Sequence, residues 1–222
     1  MKEKDPEVIK RHKVVFISVG TTQFDELIDE CLSAAFLEEL KRQGFNEMII
    51  QCGHYKGAMR PHMAETAQSS LIREALANED APVKEDNVDP ITVYKMEKHE
   101  SLYTTNQSDY PATIELYRFK PSLHDDQMKA DLIISHGGAG CIFEALQMKK
   151  PLMVAVNHSL QDDHQDELAL SLHSQHHLIR CPSPFHVSHR LKQLPALLQT
   201  LKPLPTPNLA PFQSLVLQTL YE

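Results

Sequence analysis

The ordered pattern opens at Val14-Val15-Phe16-Ile17, an apolar run that does not alternate with polar residues. Such a run predicts a strand buried on both faces, as in a parallel sheet covered by helices on each side. Gly20, Thr21 and Thr22 follow, then one long helical spacing that ends near Gly44. Met48-Ile49-Ile50 predicts a second strand, leading to Gly53. Strand, glycine turn, helix and strand together begin a parallel α/β sheet. After an interval the rhythm returns with "ATIELYRF", a strand ending near Phe119, and "KPSLHDDQMKAD", a short helix capped by Ser122 with Asp125 in its first turn. Leu132-Ile133-Ile134 predicts the next strand, "KKPLMVAVN" another and "HHLIRC" a last short one. Helices are predicted over "DDHQDELALSLHSQ" and over "PFHVSHRLKQLPALLQTL", the latter interrupted near Pro195. This alternation predicts the fold class: α/β, a Rossmann-like doubly wound parallel sheet.

Two stretches stand outside that rhythm. Residues 56–110 are polar, with one helix-like piece and scattered acids at Glu79, Asp80, Glu85, Asp86 and Asp89. They read as an insertion in a surface connection, either a solvated loop or a partner surface. Near the end, the Pro-rich "KPLPTPNLAP" leads to "PFQSLVLQTLYE", which carries an apolar set at Phe212, Leu215, Val216, Leu220 and Tyr221. That set suits packing on its own domain or docking to a partner. The expected organisation is one domain over 1–202, then a link and helix over 203–222.

Composition narrows the function classes. The 222 residues are 41% apolar and 23% charged, ordinary for a globular chain with a full core. A net charge of -8 argues against a general nucleic-acid binder, which would show a basic stripe. Cys31, Cys52, Cys141 and Cys181 are widely spaced with no CxxC pair, the pattern of reduced core thiols in a cytosolic protein. "MKEKDPEVIKRHK" is charged and has no apolar leader segment. No apolar run reaches the roughly 20 residues that cross a bilayer, so a membrane role is expected to go through a partner.

The chemistry concentrates in two glycine turns. In open parallel sheets ligands bind at the carboxyl ends of strands, where turns feed helix N-termini. "VFISVGTTQFDEL" offers Gly20, Thr21 and Thr22; "IISHGGAGCIFEAL" offers Gly137, Gly138 and Gly140 after His136. Free N–H groups at a helix start form a cradle for anionic oxygens, and glycine lets the backbone come close. The lesser alternative is that each turn is a tight corner with nothing bound. Neither matches the GxGxxG fingerprint, and no GxxxxGK[ST] loop occurs. "HGGAG" is like an esterase oxyanion loop, but the chain has no GxSxG nucleophile elbow. Glu144, four residues after Gly140, suits either the helix dipole or the two hydroxyls of a ribose. Asp162, Asp163, His164, Gln165 and Asp166 cluster at a helix start and fit a cap or the hydroxyls of a sugar. His173, His176 and His177 fall at helical spacing, but no carboxylate or cysteine sits beside them at ligand distance, so a solvated face is expected and no metal site.

Taken together, "VFISVGTTQFDELI", "GFNEMIIQCG", "ADLIISHGGAGCIFEAL", "KPLMVAVN" and "DDHQDELA" resemble, in this order, the catalytic subunit of the two-component UDP-N-acetylglucosamine transferase of asparagine-linked glycosylation. The likeness covers roughly residues 13–55 and 113–181 plus the C-terminal helix. It extends to the donor-binding, C-terminal half of GT-B glycosyltransferases such as MurG. The resemblance implies a single GT-B donor-binding domain that transfers GlcNAc from UDP-GlcNAc to GlcNAc-diphosphate-dolichol, β1,4-linked and with inversion. It implies recruitment to the cytosolic face of the endoplasmic reticulum by a membrane-anchored acceptor-binding subunit. No cofactor or metal is implied, because the helix start stabilises the departing UDP. By the same resemblance, Gly20, Thr21 and Thr22 contact donor phosphate or frame the cleft, and Phe119 and Lys120 lie beside the uracil, Lys120 through its backbone. Gly137, Gly138, Ala139 and Gly140 hold the diphosphate, and Glu144 holds the ribose. His164 and Gln165, with Asp162 and Asp163, read the GlcNAc hydroxyls. His136, close to the phosphates, is the catalytic candidate on this chain, while the general base is expected on the partner. The competing expectation is a non-catalytic nucleotide-sugar-binding or regulatory subunit of the same fold.

Overall fold

The computed structural model describes residues 12–56, 94–97, 113–158 and 164–205. Its strands are β1 (Lys13–Ser18), β2 (Phe45–Gln51), β3 (Tyr94–Glu97), β4 (Thr113–Tyr117), β5 (Leu132–Ser135), β6 (Leu152–Ala155) and β7 (Ile179–Cys181). They form one sheet in the order β3-β4-β2-β1-β5-β6-β7. All pairings are parallel except β3 against β4. The parallel strands thus run outward in both directions from β1, the doubly wound arrangement expected from the alternation of elements.

The helices are α1 (Asp25–Cys31), α2 (Ala34–Arg42), α3 (His124–Lys129), α4 (Ala139–Gln147), α5 (His164–Ser174), α6 (His186–Lys192) and α7 (Leu194–Thr200). The non-alternating strand sequences have a simple cause, because each strand is covered on both sides. Val15, Ile17 and Val19 join one core with Leu27, Ile28, Phe36, Leu37, Leu40, Val187 and Leu191 from α1, α2 and α6. Val14 and Phe16 point the other way, into a core with Ile142, Ala145, Leu146, Ala169 and Leu172 from α4 and α5. Each fully buried side chain of this size contributes about 1.5–3 kcal/mol. Two stacked cores therefore hold the sheet rigid beneath whatever the strand ends carry.

Three local features depart from the sequence expectation. The single long helix before Gly44 is two, because Ser33 leaves the helical conformation and its hydroxyl accepts from the Phe36 N–H at 3.2 Å, starting α2. Ser33 is a helix N-cap written in the middle of a helical spacing. The polar interval 56–110, read as a loop or partner surface, contributes β3 to the sheet edge. Ser122 stands one residue before the cap position of α3, and its hydroxyl still accepts from the His124 N–H at 3.2 Å. The break near Pro195 falls between α6 and α7 as expected. The helix-like piece before Asp80 and the terminal helix over 211–222 lie outside the described residues.

The register sets the site. Ser18 of β1 stands opposite both Gln51 of β2 and Ser135 of β5, and Gln51 stands opposite Tyr117 of β4. Four strands thus end flush, and their exits converge at the point where the winding direction reverses.

Candidate functional site

A cavity of about 770 Å³ lies over these strand ends. Its walls come from three exits: Gly20 and Thr21 after β1, Lys120 to His124 after β4, and His136, Gly138, Gly140, Cys141 and Glu144 after β5. Gln127 and Gln147 complete the polar lining. The converging exits of β1 and β5 at the reversal point are where open α/β sheets bind ligands.

The β5 turn is built to leave donors free. Gly137 takes φ +97°, a left-handed conformation that a side chain would strain, and starts the corner. Gly138 caps α4, and Ile142 is the first N–H to find a helical carbonyl, that of Gly138 at 3.0 Å. The N–H groups of Ala139, Gly140 and Cys141 therefore precede the first intrahelical bond. Their partial positive charge is aligned with the dipole of α4, so the turn can hold an anionic oxygen. A Cβ on Gly140 would meet nothing within 4 Å, which leaves the approach to these groups open.

His136 fills the space beneath. It is 5% exposed, its N–H donates to the Ser18 carbonyl at 3.2 Å, and its ring Nδ1 lies 3.4 Å from the same oxygen. Gly20 and Gly138 close over the ring: a Cβ on the first would stand 2.8 Å from His136 Cε1, and one on the second 2.7 Å from Nε2. Burial lowers the imidazole pKa below its ordinary value, so the ring is neutral at neutral pH. A neutral ring can donate one hydrogen bond and accept another.

The β1 turn is different. The Gly20 N–H donates to Gln51 Oε1 at 2.8 Å and to Ser18 Oγ at 3.2 Å. The Thr22 N–H and hydroxyl both donate to the Val19 carbonyl, at 3.2 and 2.7 Å. These donors are used inside the turn, so Gly20 lines the cavity without offering its N–H to it, and Thr22, expected at the donor phosphate or the cleft frame, is not part of the wall. Thr21 reaches the wall beside Gly20.

Glu144 lies on the cavity wall in the second turn of α4, exposed, with its Oε2 accepting from Gln127 Nε2 at 3.2 Å. That contact leaves the rest of the carboxylate available to hydroxyl donors. Opposite, Lys120 is tied down. Its ammonium donates to Asp126 at 2.8 Å and Glu115 at 3.1 Å and sits 3.9 Å from the centre of the Tyr117 ring. Burial opposes the charge on Lys120, but the two carboxylates outweigh it and raise the pKa. The buried Tyr117 hydroxyl donates to Asp126 at 2.6 Å, and burial with that carboxylate pushes its pKa up. Lys120 thus lines the cavity with its charge already neutralised, as its expected backbone role allows. Phe119 packs edge-on against His54, ring centres 5.1 Å apart, and is not part of the cavity wall.

On the far side of the β5 turn, Gln165 Oε1 is buried and has no hydrogen-bond partner. It stands 3.9 Å from where a Gly137 Cβ would be. A buried amide oxygen without a partner costs about 1–3 kcal/mol, which a hydroxyl donor would recover. His164 points outward, with its side chain 85% exposed and 3.7 Å from Glu167. Asp162 and Asp163 lie outside the described residues. Asp166, the remaining acid of that cluster, forms a two-point ion pair with Arg180 at 2.5 and 2.7 Å, which lowers its pKa, and serves the α5–β7 junction.

Sequence reasoning missed Ser18, Gln51 and Gln127. Gln51 and Ser18 are polar residues ending buried strands, a position that in sequence is indistinguishable from a solvent-facing strand end. Among the described residues no three His, Cys, Asp or Glu side chains gather as a metal site. His173 Nδ1 and His177 Nδ1 instead lie 3.1 and 3.0 Å from the Leu178 and Lys202 carbonyls at the end of α5. The four cysteines are free thiols; Cys31, Cys52 and Cys181 are buried, and burial pushes the Cys181 pKa up to about 12. No described helix is long and apolar enough to cross a membrane.

The reversal-point cavity and its helix N-terminus are those of a doubly wound α/β fold, and comparison with known proteins gives its family. The model of the glycosyltransferase family 28 C-terminal domain matches residues 65–195, and the chain belongs to that family. It is similar to the human UDP-N-acetylglucosamine transferase subunit ALG13, 35% identical over 170 residues, which are 76% of this chain but 11% of the human protein. The Saccharomyces cerevisiae subunit of the same name is 28% identical over 215 residues, 96% of this chain and 98% of that protein. Among solved structures, the NMR solution structure of ALG13 superposes with a TM-score of 0.55 at 25% identity, covering 96% of this chain and 100% of that one. MurG of Acinetobacter baumannii shares the fold, with a TM-score of 0.51 at 18% identity over 88% of this chain and 45% of its own. The fold is that of GT-B glycosyltransferases.

Proposed function

We propose that this chain is the donor-binding subunit of a transferase that moves GlcNAc from UDP-GlcNAc to GlcNAc-diphosphate-dolichol, forming a β1,4 bond with inversion. The observation that carries this reading is the start of α4, where unengaged N–H groups and Glu144 face one cavity. In this reading Ala139, Gly140 and Cys141 hold the diphosphate through their N–H groups. The dipole of α4 then stabilises the negative charge that builds on UDP as the sugar leaves, without requiring a bound metal. Glu144, steadied by Gln127, accepts from the ribose hydroxyls. The exit of β4, from Lys120 to His124, forms the uracil side, and the unpartnered Gln165 oxygen, with His164, Asp162 and Asp163, reads the sugar. His136, with its one ring N–H turned to the Ser18 carbonyl, supports the two glycine turns from below.

Inversion requires the acceptor hydroxyl to attack the face of the sugar opposite the departing UDP. The diphosphate lies on this chain, so the acceptor and the base that deprotonates it are assigned to a membrane-anchored partner subunit. The complex would stand at the cytosolic face of the endoplasmic reticulum. The names of the relatives as transferase subunits support a shared active site.

The test is co-expression with a membrane-anchored acceptor-binding subunit, followed by pull-down and GlcNAc transfer to a short-chain dolichyl acceptor. The expected result is transfer by the complex, with weak UDP-GlcNAc binding and little turnover by the chain alone. Full activity of the purified chain would overturn the two-subunit reading. Donor binding with no transfer by any complex would favour the non-catalytic alternative.

A further inference from the structure

The polar side chain most fully engaged at the strand ends is one that never faces the cavity. Gln51, the last residue of β2, is 2% exposed, and all four of its hydrogen-bonding positions are filled. Its Oε1 accepts from the Ser18 hydroxyl and from the Gly20 N–H, both at 2.8 Å. Its Nε2 donates to the Gly20 carbonyl at 2.8 Å and to the Arg118 carbonyl at 2.7 Å. The two carbonyls can meet only the NH₂ and the Gly20 N–H only the oxygen, so the amide has one permitted orientation.

This amide grips both backbone groups of Gly20, as a neighbouring strand would, and ties them to the exit of β4. Gly20 has φ +61° and lies against the imidazole of His136, which in turn lies against Gly138 at the start of α4. Arg118 immediately precedes Phe119 and Lys120, and its own guanidinium donates to the Gly53 and Tyr55 carbonyls at 3.2 and 3.0 Å. One buried amide therefore sets three parts of the cavity relative to one another: the β1 turn, the β4 exit and, through His136, the β5 turn.

We infer that Gln51 is a positioning residue for donor binding, holding the Gly20 turn and the Arg118 exit at the spacing that keeps His136 under the Gly138 cradle. The inference rests on reading the cavity as the UDP-GlcNAc site. Gln51→Glu separates positioning from general stability. A neutral carboxyl keeps an oxygen that accepts from Ser18 and Gly20 and an O–H that donates to one carbonyl. The ionised form turns one unprotonated oxygen, in the place of Nε2, toward both the Gly20 and Arg118 carbonyls, which repel it. Burial favours the neutral form, so ionisation is displaced to higher pH.

The experiment is calorimetric titration of UDP-GlcNAc into the full chain from pH 5 to 8.5, at a temperature where near-ultraviolet circular dichroism shows each variant folded. UDP-GlcNAc carries a diphosphate diester and does not itself titrate in this window. The expected result is near-native affinity for Gln51→Glu at low pH, weakening at least roughly tenfold as pH rises, while the native chain changes far less. Ser18→Ala, which deletes one bond to the amide oxygen and keeps the rest, is expected to weaken binding only a few-fold at every pH. It carries the test if Gln51→Glu does not fold. Native-like affinity of Ser18→Ala, or of Gln51→Glu across the whole range, would overturn the inference, as would a pH-independent loss in Gln51→Glu. Failure of the native chain to bind UDP-GlcNAc would instead remove the reading of the site itself.

Discussion

The turns after β1 and β5 look alike in sequence, each a strand end followed by glycine and small residues, yet they use glycine for opposite purposes. After β1, Gly20 lets the chain turn back on itself and spend its N–H on Gln51. After β5, Gly137 makes the corner and Gly138 clears the imidazole, while Gly140 leaves the approach to α4 empty. One glycine turn is a structural joint and the other an open cradle. What separates them is where the neighbouring donors go, and spacing alone does not record that.

The sharpest way to break this contrast is Gly20→Ala. Its Cβ would stand 2.8 Å from His136 and would have to adopt φ +61°. Overpacking and left-handed strain together predict a loss of about 2–4 kcal/mol in stability by chemical denaturation. A native-like unfolding midpoint would mean that the turn is not a joint. Next in size is Glu144→Ala, which should leave the midpoint unchanged and weaken UDP binding by roughly 1–3 kcal/mol, as read by calorimetry. Unchanged affinity would take Glu144 out of the site.

Gly140→Ala sharpens the other arm. Nothing in the protein obstructs the added methyl. Stability should therefore rise by up to about 1 kcal/mol through helix propensity, while donor affinity falls, because the methyl occupies the diphosphate approach. A clean gain in both would show that the cradle is empty in function as well. The smallest effect concerns pH. His136 binds its proton less readily when folded than at its ordinary value of 6.5. Its neutral, buried form therefore contributes fully above pH 6.5, and stability falls as pH drops from there toward the lower folded value. The slope for one group cannot exceed about 1.4 kcal/mol per pH unit. His136→Gln should flatten that stretch of the stability–pH curve.

The sheet was legible because its strands are buried twice over, so Val14 to Ile17 and Leu132 to Ile134 carry no alternating polar residue to confuse the reading. The glycine turns were legible as turns. Gln51 was not, because a glutamine closing an apolar run looks like a solvent-facing strand end, and only the flush register with Ser18 and Tyr117 turns it inward. The split between α1 and α2 hinged on a single serine inside an otherwise continuous helical spacing. Strand β3 was hidden by length and context, four residues within a polar interval, and its pairing with β4 depends on partners distant in sequence.

That short strand has a consequence for handling the protein. A parallel sheet ends in a row of unpaired backbone groups that invites another chain to add itself. Here β3 takes up the outer edge of β4 in antiparallel register from Tyr94 to Glu97. Trimming the interval between β2 and β4 to obtain a more compact domain would uncover that edge, so a shortened version would trade a long connection for a tendency to self-associate.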